Sequence, residues 1–154
     1  MTLLIAGLVL FLGVHSVRIF ADGWRSRTIA RIGMNPWKGI YSLVSIAGFV
    51  LIVYGYGEAR QVSSVVWEPP ITMYHITALL VFVSLVFLAA AKVPNNQIKG
   101  AVGHPMLIGV KLWAFGHLLV NGRSADIVLF GSFLAWAIVL FTVSRRRDRE
   151  QGIT

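Results

Sequence analysis

Apolar residues occur in long blocks along this chain, separated by short polar and basic stretches. A helix needs about 20 mostly apolar residues to cross the hydrocarbon core. Five blocks approach that length: residues 3–20, 39–57, 71–91, 105–120 and 127–144. The pattern predicts an all-α integral membrane bundle of five transmembrane helices. A single domain would cover 1–154, with a basic tail over 145–154. The fourth block is the shortest and carries Lys111, so its ends are the least sharply marked.

The intervening segments have loop chemistry. Residues 21–38 are polar and basic and end near Asn35-Pro36, an expected helix start. Residues 58–70 close on Glu68-Pro69-Pro70, which breaks a helix because proline lacks the amide donor. Residues 92–104 hold Pro94-Asn95-Asn96 and two glycines, and 121–126 form a tight turn. Small residues suited to close helix packing are Gly7 and Gly13, then Ser45, Gly48 and Gly55, then Gly109 and Gly116.

Composition strengthens the membrane reading. The chain has 154 residues, of which 13% are charged, against about 25% in a soluble domain. Mean hydropathy is +0.74. The N-terminal stretch lacks a positive leader and a convincing cleavage pattern, so it reads as a retained first helix. The net charge of +8 does not point to nucleic acid, because the cations cluster at the ends of apolar blocks, where they anchor helices to headgroups. The first and third loops and the tail hold ten Lys and Arg, and the second and fourth loops only Arg60 and Arg123. Positive-inside counting then puts the N-terminus outside the cytoplasm and the tail inside, with the chain crossing the inner membrane several times. With no cysteine, thiolate haem ligation, iron–sulfur clusters and cysteine-based zinc sites are excluded. There is no phosphate loop and no His-Glu-x-x-His motif. No acidic residue falls within an expected span, which argues against a carboxylate relay.

Candidate chemistry rests on histidines. His15, His75 and His117 lie inside apolar blocks, where a polar ring is costly unless partnered. Arg18 lies one turn beyond His15 on roughly the same face. His15 could be a metal or haem ligand, or a helix-bonded residue beside a snorkelling arginine. Trp113 shares the face of His117, with Gly116 removing bulk, an arrangement suiting a flat macrocycle or plain helix packing. His104, in Gly103-His104-Pro105, stands at the membrane border as a cap, a headgroup contact or a cofactor-edge residue, with Lys111 on its side. His75 reads as interfacial. At ~1.5 Å per residue, His15 lies roughly 10 Å and His117 roughly 18 Å from the cytoplasmic edge. Helix tilt of about 20° could absorb that mismatch, so spacing alone selects no pair.

Two motif blocks, Gly13-x-His15-Ser16-x-Arg18 and His104-Pro105 followed by Leu112-Trp113-Ala114-x-x-His117-Leu118-Leu119-x-Asn121-Gly122, resemble the NnrU family over nearly the whole chain. The family comprises bacterial membrane proteins linked to denitrification and nitric-oxide metabolism, and it is related to the zeta-carotene isomerases, which bind haem b. The resemblance implies haem b with His15 and His117 as axial ligands, Arg18 and Lys111 near propionates, Trp113 beside the ring and His104 at its border. Where the isomerases carry a cysteine three residues before the second histidine, this chain has Ala114. The roles implied are a redox or accessory part in nitric-oxide metabolism, a non-catalytic assembly factor for a membrane oxidoreductase, or a haem-dependent cis-trans isomerase of a membrane polyene. Whether the chain is an enzyme stays open. Expected partners are the bilayer, a respiratory nitrogen-oxide reductase or further copies of the chain, and no nucleic acid.

Overall fold

The apolar blocks become helices. The computed structural model describes residues 1–152. In chain order its helices are α1 Thr2–His15, α2 Val17–Phe20, α3 Asp22–Ile32, α4 Met34–Val62, α5 Ile71–Lys92, α6 Gln97–Val102, α7 Pro105–Val120 and α8 Ser124–Glu150. No strand forms among the described residues; one isolated bridge joins Val65 and Arg123.

Local chemistry sets the boundaries that match expectation. Pro70 holds extended backbone before α5, and Pro105 opens α7, where its missing amide leaves no bond unmade. Elsewhere helix continues past the apolar block. Residues 21–38, expected as a loop, contain α3, whose Asp22 and Arg31 complement the helix dipole at its two ends. The basic tail is helical through Glu150 rather than a separate segment. A helix satisfies its own backbone, so the edge of an apolar block marks a change of surroundings rather than an end of helix. The first block is also broken. Ser16 leaves the regular ladder between α1 and α2, and its amide turns back to the Gly13 carbonyl.

Three helices are long and apolar enough to cross a bilayer: α4 with 29 residues, α5 with 22 and α8 with 27. The apolar α1 and α7 have 14 and 16 residues, or about 21 and 24 Å at 1.5 Å per residue. Apolar side chains cover the outside of the long helices. On α5, Leu79, Phe82 and Leu85 are 64%, 65% and 57% exposed. Contiguous apolar surface of this kind is unfavourable in water and suits lipid.

The described residues form two compact units, Met1–Ser63 and residues 64–152. In the first, α1 runs antiparallel to α4, with α2 and α3 joining them. Leu4, Leu8 and Leu12 are buried along one face of α1, and Gly48, Ile52, Gly55 and Ala59 along one face of α4. The two backbones nearly touch. A Cβ on Gly7 would lie 2.6 Å from the Ile52 amide nitrogen, and one on Gly48 would lie 2.9 Å from that of Phe11. Only glycine permits this approach.

In the second unit α7 lies antiparallel to both α5 and α8. Two buried hydroxyls bind α5 to α7: Thr77 Oγ1 donates to the Gly116 carbonyl at 2.8 Å, and Ser84 Oγ to the Gly109 carbonyl at 2.7 Å. Residues 64–67 dock on the α7–α8 turn, where the Gly122 carbonyl accepts from the amides of Val66 and Trp67.

Candidate functional site

The end of α1 carries the first candidate histidine. His15 sits in the last turn, half-buried, and its Nδ1 lies 2.7 Å from the Phe11 carbonyl. A carbonyl only accepts, so Nδ1 carries the proton, which in a neutral imidazole leaves the lone pair on Nε2. Phe11 and Tyr41 flank the imidazole, with ring centroids 4.2 and 5.6 Å away. A cavity of about 340 Å³ opens beside it, lined among others by His15, Arg18, Arg25, Trp37, Lys38 and Tyr41. The cations come from three helices. Arg25 is held 3.7 Å from Asp22, one turn back on α3. Ser45, one turn along α4 from Tyr41, has its hydroxyl buried with no hydrogen-bond partner.

His117 lies in the second unit with the same bonding. Its Nδ1 is 2.8 Å from the Trp113 carbonyl, which again puts the lone pair on Nε2. Phe130 of α8 stacks on the ring at 4.8 Å and 22°, and Trp113 leans against it at 5.1 Å. Asn121 donates to the His117 carbonyl at 2.8 Å, holding the end of α7. Ala114 is fully buried.

The border residues behave differently. His104 occupies the N-cap position of α7 but makes no side-chain cap bond, so the expected capping role is not realised. Its Nε2 instead meets Asp148 Oδ2 at 2.7 Å. The Lys111 ammonium lies 3.9 Å above the Phe141 ring, and that ring stands edge-on to His104 at 6.4 Å. The structure therefore groups Lys111 with Phe141 and His104, whereas Trp113 does contact His117. His75 is exposed on α5.

The family model described as NnrU protein matches residues 3–154. The chain belongs to the NnrU family. No curated protein and no solved structure matches it. In this NnrU-family chain the two motif blocks carry the two histidines that share the Nδ1-to-carbonyl bond. Motif reading had missed Arg25, Trp37, Lys38 and Tyr41 around His15, Phe130 against His117, and Asp148 beside His104. Of these only Arg25 and Lys38 carried a signal, as cations in an expected loop.

The residues present fit a haem. An axial imidazole needs Nε2 unprotonated, and metal-bound histidines commonly donate the other ring N–H to a backbone carbonyl; both rings here make that Nδ1-to-carbonyl bond. Trp37 and Tyr41 offer flat walls, and Arg18, Arg25 and Lys38 offer cations for two carboxylates. In neither unit do three or more His, Asp or Glu of the described residues come together.

Proposed function

We propose that this NnrU-family protein is a five-span inner-membrane haem b protein with a redox or accessory role in denitrification and nitric-oxide metabolism. Its N-terminus would lie outside the cytoplasm and its C-terminus inside. The single observation that supports the haem reading most is the shared state of His15 and His117: each gives its Nδ1 proton to the carbonyl four residues back. The i−4 bond orients each ring and reserves Nε2 for a metal. Five spans follow from counting α1 with α2 as one crossing and accepting α7 as a short one, since mismatch costs only fractions of a kcal/mol per Å. The ten-to-two distribution of Lys and Arg supports the orientation.

His15 and His117 would hold the iron. Arg18, Arg25 and Lys38 would neutralise the propionates, and Trp37, Tyr41, Trp113 and Phe130 would exclude water around the two imidazoles. Bound haem supplies a one-electron couple, tuned by its axial ligands and the polarity around it.

The test is the absorption spectrum of the purified protein, expressed with ample haem, before and after dithionite. The expected result is a b-type reduced spectrum that is altered or lost in His15→Ala and His117→Ala, with Trp113→Phe retaining it. Haem-free protein, or a spectrum unmoved by either histidine substitution, would refute the proposal. Unchanged spectra with a co-purifying respiratory subunit would favour the assembly factor, and conversion of a cis-polyene by reduced protein the isomerase.

A further inference from the structure

A second cavity lies in the other unit, about 460 Å³ in volume and unlike the first in character. Asn95, Asn96, Lys99, His104, Arg145 and Asp148 contribute its polar lining. The charges are unbalanced. Lys99 and Arg145 form no ion pair among the described residues, and the one lining carboxylate, Asp148, is already engaged by His104.

The cavity is built rather than incidental. Asn96 spends its whole amide on the backbone: Nδ2 donates to the carbonyls of Ala90 and Val93, and Oδ1 accepts from the Lys99 amide. That cap starts α6 and fixes where Lys99 leaves the backbone. Asn95 beside it has φ 55°, a left-handed conformation uncommon outside glycine and held here by the loop. Gly103 has φ 79°, and a Cβ there would lie 2.7 Å from a guanidinium nitrogen of Arg145. The glycine thus lets Arg145 lie close against the backbone. His104 uses Nε2, not Nδ1, toward Asp148, so this dyad is poised differently from the two haem-type histidines.

We infer that this cavity is a binding site for a phosphate group, held by Lys99 and Arg145 and bordered by the His104–Asp148 pair. An arginine and a lysine lining one cavity, whose single carboxylate is paired with His104, suit phosphate, which accepts bidentate and point-charge hydrogen bonds. The cavity stands at the start of α7 and the basic end of α8. Val93, Ile98 and Met106, each next to a cavity element in sequence, are 52%, 38% and 43% exposed. A phospholipid could therefore place its headgroup inside and its chains on these residues, while a soluble phosphate compound would use the polar part alone. The inference does not depend on haem.

The experiment uses the full chain in detergent and in nanodiscs. Inorganic phosphate is titrated into lipid-free detergent samples and followed by phosphorus NMR line broadening. In the second arm, nanodiscs of phosphatidylcholine with graded phosphatidic acid are solubilised, and retained lipid is counted by native mass spectrometry. Saturable binding in either arm, weakened roughly tenfold or more by Arg145→Ala or Lys99→Gln, is the expected result. Arg149→Ala, which removes an equal charge from the exposed end of α8, should change it less than twofold. Binding in the lipid arm only assigns a headgroup, and in both arms a general phosphate site. Equal weakening by Arg145→Ala and Arg149→Ala, or no binding in either arm, overturns the inference. If Arg145→Ala fails to fold, Arg145→Lys should retain charge but lose bidentate geometry, with an intermediate loss.

Discussion

Replacing Gly7 by alanine tests the seam that carries His15. The added Cβ would lie 2.6 Å from the Ile52 amide nitrogen and 2.9 Å from the Leu51 carbonyl carbon, whereas relaxed carbon contacts lie at about 3.5–4.0 Å. Both obstacles are backbone, so no side chain can rotate away, and α1 must move from α4 by roughly 0.6–1 Å. A gap of that size forfeits about a quarter to a half of each dispersion well along Leu4, Leu8 and Leu12. Overpacking of this kind costs about 1–3 kcal/mol. Gly13 on the same helix is the control, because a Cβ there meets nothing within 4 Å. Alanine exceeds glycine in helix propensity by about 0.8–1 kcal/mol, but helices persist in a detergent-denatured state, so most of that gain cancels. The assay is an SDS titration in mixed micelles followed by tryptophan fluorescence, to which Trp24 and Trp37 of this unit contribute as an edge-on pair 5.8 Å apart. Gly7→Ala should lower stability by about 1–3 kcal/mol and Gly13→Ala should stay within about 0.5 kcal/mol. An unchanged Gly7→Ala, or equal losses in both variants, refutes the close-approach argument.

Ser84→Ala removes the Ser84 hydroxyl from the Gly109 carbonyl and should cost only about 0.6 kcal/mol, the average for such bonds between membrane helices. Ser84→Val adds bulk at a site with no exposure and should cost more, about 1–3 kcal/mol, read in the same titration. Gly122→Ala drives a methyl into the Trp67 carbonyl, so residues 64–67 should detach and become a protease-sensitive segment; unchanged cleavage rates would contradict this. For His104 and Asp148, side chains 30% and 18% exposed, a double-mutant cycle should give a coupling of about 0.5–1 kcal/mol at low salt that shrinks as salt rises. A salt-independent coupling would show that the contact is not electrostatic.

Legibility in the sequence followed the range of the interactions concerned. The extents of α5 and α7 were readable because proline at their starts and the run of apolar residues act locally. The two histidines of the NnrU motifs were readable as candidates for the same reason, whereas their Nδ1 bonds to the i−4 carbonyls depend on the rotamer that packing selects. Helix continuation into polar ground was not readable, since α3 and the end of α8 carry no apolar signal.

What the sequence determined by itself was therefore the apolar character of the long helices, the main helical segments and a short roster of rings and cations. Tertiary structure decided which of them meet. Gly7 and Gly13 look alike in sequence, yet only Gly7 faces another backbone. A cap was one of three readings open for His104, and Asp148, 44 residues away, supplied its partner instead. Lys111 stood among propionate candidates, and its ammonium lies on Phe141. Hydropathy and chain-breaking are properties of neighbours along the chain, whereas pairing, cavities and ring contacts depend on the faces that packed helices turn toward each other.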